Sequence, residues 1–250
     1  MKKFLFNSNL PQNNVSEVIA GIDDLALKEE LIRYGINTIE TIQKPLLEPY
    51  VSNHADVLVH YLGNGKIMVD SSQKKIISSL KKIHFQIQEI DNVSSPYPND
   101  CILNCCDIGD YIICNKDITH SAILDNAIKN HKQIINVKQG YAKCSICILK
   151  KNVIITDDDS IYKAVLKYKN ISVLRINKGS IRLKNCDYGF IGGCGGLIGK
   201  DKIFFNGDIT KHSDYNEINK FLEYNNIQCY SIQNKPLTDI GSIIPILEGE

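Results

Sequence analysis

The residues best equipped for chemistry in this chain are two thiols, a histidine and several carboxylates. Cys144 follows Lys143, an ammonium able to lower a neighbouring thiol's pKa and so favour the nucleophilic thiolate. Cys194 sits inside Gly192-Gly193-Cys194-Gly195-Gly196, where glycines allow either close backbone approach to a ligand or simply a sharp bend. Cysteine is also among the most buried residue types, so each thiol has plain packing as its other reading. His54 and Asp56 form His-x-Asp, one face of an extended segment, and a histidine near a thiol can act as its base. Asp56, Asp100 and Asp239 are carboxylates of the kind that accept paired hydrogen bonds from a guanidinium or an amine. Capping of turns through backbone N–H groups is the competing use of Asp56 and Asp239.

Metal chemistry is not what the cysteines suggest. Cys144 and Cys147 have CxxC spacing, yet residues three apart on a strand point to opposite faces. The adjacent Cys105 and Cys106 diverge as well, and no second pair completes a tetrahedral set. The glycine run lacks the lysine and spacing of a phosphate-binding loop. No metal and no cofactor are expected.

These residues need elements to hold them, and the chain announces its elements by repetition. The stretch 115–121 reads NKDITHS and 206–213 reads NGDITKHS, with looser copies around Asp70 and Asp157. One module of strand a, turn, strand b, helix and strand c recurs at roughly 40–50 residues, the period of ring or solenoid folds. The first unit takes Asp56–Leu62, the turn Gly63-Asn64-Gly65, Lys66–Val69, a helix with Ile76, Leu80 and Ile83 on one face, and Phe85–Ile90. The strands a of the next three units are Cys101–Cys106, Cys144–Leu149 and Phe190–Leu197. Their strands b are Tyr111–Cys114, Val153–Thr156 and Ile203–Phe205. Caps are expected at Asp70, Ser71 or Ser72, at Thr119, at Asp157–Asp159 and at Asp208–Thr210. The C-terminal Ile240–Leu247 is a lone strand a. The N-terminus supplies its missing partners: Phe4–Phe6 as strand b, a helix near Asp23–Tyr34 stopped by Gly35, and Ile36–Ile42 as strand c. Joined, the two ends make a fifth unit, and the expected fold is a five-bladed α/β propeller of ββαβ units over residues 1–250 as one domain.

That arrangement resembles the pentein fold of the guanidino-group-modifying enzymes, which include arginine deiminase, dimethylarginine dimethylaminohydrolase and the amidinotransferases. The closer similarity is to an uncharacterised bacterial family of that fold, carried by QGYAKCSICI (139–148), YGFIGGCGGLI (188–198) and LTDIGSIIPI (237–246). The resemblance implies that the starts of the five strands a converge on a central channel. That would gather His54, Asp56, Asp100, Lys143, Cys144, Cys194 and Asp239 around a small cationic ligand. Enzymes of this fold carry a catalytic cysteine on the last strand a. Here Ile244 and Pro245 stand where it would be expected, and no cysteine follows Cys229. Two functions follow from the resemblance. One is a Cys-dependent hydrolase or amidinotransferase, with Cys144 or Cys194 as nucleophile, His54 as base, and Asp56 and Asp239 holding the substrate cation. The other is a non-catalytic binding protein, as the ribosome anti-association initiation factor of this fold is.

Composition narrows the partners. Basic and acidic residues nearly cancel, at a formal net charge of +1, so neither nucleic acid nor an anionic membrane is an expected partner. No apolar run approaches the ~18 residues of a membrane span. The opening MKKFLFNSNLPQNN has too short an apolar core for a signal peptide, which points to the cytoplasm. Nine cysteines, an odd number, are expected there as thiols. Nothing in the pattern specifies an oligomeric state.

Overall fold

Short apolar runs joined by tight turns favour small sheets. In the computed structural model, which describes residues 2–22 and 25–249, there are five of them. The N-terminal stretch holds β1 (Lys2–Phe4), β2 (Val15–Ala20), α1 (Leu25–Arg33) and β3 (Asn37–Glu40). A one-turn helix, α2 (Ala55–Leu58), leads into β4 (Val59–Gly63), β5 (Lys66–Asp70), α3 (Lys74–Lys82) and β6 (Gln86–Ile90). Next come β7 (Cys106–Asp107), β8 (Tyr111–Cys114), α4 (Ser121–Lys129) and β9 (Gln133–Asn136). They are followed by β10 (Ile146–Lys150), β11 (Val153–Thr156), α5 (Asp159–Val165) and β12 (Ser172–Arg175). The last full set is β13 (Gly195–Gly199), β14 (Lys202–Phe205), α6 (Tyr215–Tyr224) and β15 (Gln228–Ser231), before β16 (Ile243–Gly249).

Four sheets have three strands in chain order, the first pair antiparallel and the second pair parallel. An antiparallel step needs only a tight turn, and a parallel step needs a crossover, which the helix supplies. The hairpin turns use residues that tolerate positive φ: Asn64 and Gly65 between β4 and β5, Asn152 between β10 and β11, Asp201 between β13 and β14. Each helix buries one stripe, as with Ile76, Ile77 and Leu80 on α3 or Ile218 and Leu222 on α6. Asp158 caps α5 by accepting from the backbone N–H groups of Ser160 and Ile161. On α4 the cap is His120, whose ring accepts from Ala122 N–H, and the expected Thr119 instead donates to the carbonyl of Asn115. At α3 neither Asp70 nor the two serines cap; Gln73 holds the N-cap position. Among the described residues no helix is long and apolar enough to cross a membrane.

The fifth sheet joins the two ends in the order β1-β16-β2-β3. Its strand b is not Phe4–Phe6 but β2, antiparallel to β16 and parallel to β3. The reason lies in what each segment can bury. Val15, Val18, Ile19 and Ala20 all reach the core, whereas Phe6 is 72% exposed. Lys2–Phe4 instead covers the other edge of β16, a job sheet edges require. α1 ends as expected at Gly35, whose φ of +73° closes the helix, while Asp23 and Asp24 lie outside the described residues.

A second correction is systematic. All five strands a begin later than the apolar pattern suggests: β4 at Val59, β7 at Cys106, β10 at Ile146, β13 at Gly195 and β16 at Ile243. The residues ahead of them form turns whose polar groups are used between sheets. Asn104 donates its side-chain amide to the Asp56 carbonyl and accepts from Lys143 N–H. Gly193 N–H donates to the Cys144 carbonyl, and the Gly193 carbonyl accepts from Ile240 and Ser242 N–H. Asp56 N–H donates to the Gly241 carbonyl. Each lead-in segment is thereby bonded to the next, and the last to the first.

Candidate active site

That circuit of lead-in turns puts His54, Asp56, Cys144 and Asp239 side by side. His54 is the residue before α2 and Asp56 lies in its first turn, so the pair is helical and not extended. A cavity of about 250 Å³ opens over them, with His54, Cys144 and Asp239 in its lining and Tyr50, Tyr141, Tyr188 and Phe190 as aromatic walls. Cys144 donates its S–H to Asp56 Oδ2 at 3.0 Å and accepts from Asn104 Nδ2 at 3.1 Å. Ser242 donates to the same Asp56 oxygen at 2.6 Å, and Lys143 Nζ donates to Ser242 Oγ at 3.0 Å. Asp239 is clasped by the N–H groups of Phe190 and Gly241, at 2.9 and 3.0 Å. His54 Nδ1 stands 3.8 Å from Asp239 Oδ1.

Asp56 Oδ1 and His54 Nδ1 are buried and make no hydrogen bond with any described residue. A buried polar group without a partner is costly, and such atoms in a folded protein are usually awaiting one. A cationic ligand in the cavity would face His54 and Asp239, while Asp56, bonded to Cys144, is not part of the lining. The ligand atoms of His54, Asp56 and Cys144 also lie within 4.8 Å of one another, a thiol, imidazole and carboxylate set able to take zinc.

The electrostatics run opposite to the expectation for Cys144. Its thiol is pushed well above the usual range, first by burial and then by the charges of Asp56 and Asp239. Lys143 does not offset this. Its ammonium turns to Ser242, outside the cavity, and its charge bears on the thiols of Cys106 and Cys147 instead. Burial also raises Asp239, with Asp56 adding repulsion and His54 opposing it. The resting site therefore holds a neutral thiol beside carboxylates short of positive charge.

The remaining expected residues are spread around this centre. Asp100 accepts from Tyr141 OH at 2.6 Å and from the Cys101 thiol, so it orients a wall of the cavity without lining it. Cys194 lies in the apolar core, donates to the Ile191 carbonyl, and does not line the cavity. Ser242 was not anticipated, although the Asp239-Ile240-Gly241-Ser242 turn marks where the last strand enters. Its φ of +72° is unusual for a residue with a side chain. Tyr50, Asp187 and Tyr188 carried no sequence signal beyond loop composition.

Asp157 braces the glycine-rich turn from behind. It accepts from Ile191 N–H at 3.0 Å through Oδ2, while Oδ1 makes no hydrogen bond among the described residues. Burial pushes its carboxyl up to about 7, with Asp239 and Asp158 adding to the effect. The folded state favours the protonated form, so this group's contribution to stability is full below its unfolded pKa. It is lost as pH rises through about 7. The loss is at most about 4 kcal/mol, at about 1.4 kcal/mol per pH unit. Asp157→Asn, which keeps an acceptor for Ile191, should raise the denaturant midpoint at pH 8 and leave it unchanged near pH 3. Equal midpoint shifts at both pH values would contradict the assignment.

Comparison with solved structures places the architecture. SxtG, an amidinotransferase from Microseira wollei, superposes with a TM-score of 0.58 at 10% identity over 91% of each chain. Dimethylarginine dimethylaminohydrolase from Pseudomonas aeruginosa, solved as a cysteine-to-serine mutant with citrulline, gives 0.55 at 8% identity over 88% of this chain and 92% of that one. A cysteine-to-serine mutant of C. jejuni agmatine deiminase with substrate bound gives 0.55 at 11% identity, over 93% and 91%. Likeness at such identities carries the fold and nothing finer, and the fold is the pentein fold, an α/β architecture of small sheets. No curated protein sequence matches the chain. The profile of a family of unknown function, DUF6873, matches residues 19–244, and the chain belongs to that family.

Proposed function

We propose that the protein is a cytoplasmic pentein-type enzyme, a Cys-dependent hydrolase or amidinotransferase acting on a small guanidino- or amine-bearing molecule. In this reading the five sheets are blades about one hub, and Cys144 is the nucleophile. The observation that carries it is the Cys144 thiol in the cavity wall, hydrogen-bonded to Asp56, with Asp56 Oδ1 and His54 Nδ1 making no hydrogen bond with any described residue. The structural neighbours are guanidino-modifying enzymes, and the nine free thiols suit a reducing compartment.

The chemistry follows from charge. A guanidinium entering the cavity supplies the positive charge that the carboxylates lack, and so lowers the cost of ionising Cys144. The S–H proton passes to Asp56 Oδ2, the nearest acceptor, and the thiolate forms a bond to the guanidine carbon. The C–N bond to the leaving amine breaks as that amine takes the proton. Water or an acceptor amine then attacks the thiouronium carbon and gives one proton to His54. As the C–S bond breaks, the sulfur takes the attacking group's second proton to restore the thiol, and His54 releases its proton to the departed amine or to solvent.

The raised thiol and the Ile244-Pro245 pair favour a second reading, a non-catalytic binding protein. Alkylation separates the two. A cationic chloromethyl amidine should modify Cys144 at least tenfold faster than neutral iodoacetamide does, as read by peptide mass spectrometry. Cys186 is exposed and lines the same cavity, so its modification shows that the probe enters; modification that leaves Cys144 untouched would defeat the enzymatic reading.

A further inference from the structure

We infer that the cavity selects a linear dication: a guanidinium or amidinium at the floor, an apolar spacer, a second cation at the mouth, and no carboxylate. This rests on the reading of the site as one for guanidino compounds and names which of them fit. At the floor are Asp239 and His54, each residue at most 2% exposed and His54 Nδ1 without a hydrogen bond among the described residues, with the Asp56 carboxylate bonded to Cys144 just outside the lining. At the mouth is Asp187, exposed, lining the same cavity and without an ion pair among the described residues. Three rings share the lining with them: Tyr141 and Phe190 with centroids 6.3 Å apart, and Phe190 and Tyr188 at 5.9 Å. Methylene groups pack well on such a wall, and a cation is attracted to its faces.

Exclusion of a carboxylate is the sharper half. Among the described residues no lysine or arginine lines the cavity. Lys178 touches Tyr188, 5.3 Å from the ring centroid and 3.4 Å from the hydroxyl, but is not part of the lining. An α-carboxylate in this space would meet Asp187 or Asp239 and no cation, an unpaired charge in a desolvated site. The cavity, at about 250 Å³, also falls below the ~300–1,000 Å³ of drug-sized sites.

Three probes of one skeleton test this by isothermal titration of the full chain: agmatine, arginine (which adds a carboxylate) and butylguanidine (which lacks the second cation). Agmatine should bind at least tenfold tighter than arginine and a few-fold tighter than butylguanidine. Asp187→Asn, at an exposed position, should lower agmatine affinity more than butylguanidine affinity and so erase the margin between them. Arginine binding as tightly as agmatine overturns the inference and leaves the guanidine reading intact, as does a margin over butylguanidine that survives in D187N. Failure of all three to bind overturns both.

Discussion

Gly193→Ala is expected to cost the protein both its ligand and much of its stability. A Cβ at that position would stand 2.0 Å from Asp239 Oδ1 and 2.4 Å from its Cγ. Asp239 cannot step aside cheaply, because Phe190 and Gly241 N–H groups hold its two oxygens and the residue is 2% exposed. Either the carboxylate leaves its clasp or the turn carrying Gly193 shifts, breaking its bonds to Cys144, Ile240 and Ser242. Strain of this kind in a packed interior costs on the order of 2–4 kcal/mol, and loss of a buried charge–charge contact to the ligand about 100-fold in affinity. Gly192→Ala is the control. Its Cβ would lie 2.2 Å from the Ile146 carbonyl and 2.4 Å from that of Lys143, with no atom of Asp239 among the nearest neighbours. Comparable unfolding midpoints but a larger affinity loss in G193A, read by denaturant melts and titration, is the expected pattern. Full affinity in a folded G193A would remove Asp239 from the binding site.

Asp56→Asn should move two observables in opposite directions. Cation binding should fall by about 10- to 100-fold, since Asp56, bonded to Cys144 and outside the cavity lining, acts on the cation through its charge and not by contact. The Cys144 thiol should meanwhile ionise more readily, because Asp56 raises it through both its charge and its hydrogen bond. Burial, the first cause of the elevation, remains, so the thiol stays above the ordinary value. The pH–rate profile for iodoacetamide modification of Cys144 should therefore shift to lower pH in the variant. The same substitution keeps an acceptor for Ser242, which limits damage to the hub. A purely structural Asp56 would weaken binding without shifting that profile, and an unshifted profile would withdraw Asp56 from the proton's path.

The sequence made the repeat legible because period and turn chemistry agree: Gly63-Asn64-Gly65 and the Asp158 cap both punctuate where the pattern says they should. It misled at strand starts, where apolar residues such as Ile191 and Ile240 continue the run although their backbone is used in lead-in turns. Hydropathy cannot separate a buried turn from a buried strand. The N-terminal strand was misassigned for the opposite reason, since Val15–Ala20 alternates around Ser16 and Glu17 and lacks the solid apolar look of the other strands b. For the site, residue types only nominated candidates, and it was the resemblance to the pentein fold that grouped His54, Asp56, Cys144 and Asp239 together with Asp100, Lys143 and Cys194. Residue types were not sufficient for the direction of Lys143, which depends on a side-chain torsion toward Ser242, or for Cys194, where only packing separates a buried thiol from an accessible one.

The shared sheet of the two termini has a bearing on biosynthesis. β2 is translated early, yet the neighbour it needs, β16, emerges only after the four other sheets. Throughout that interval a nascent copy carries a bare, apolar edge, the kind of surface that chaperones mask and that promotes misassociation. Asp239, Gly241 and Ser242 lead directly into the late-arriving strand, so the pocket is sealed by the same docking event that covers the edge. A copy released short of Ile243 would thus leave the β2 edge bare and the Asp239–Ser242 turn without the strand that anchors it, so one exposed surface marks both defects.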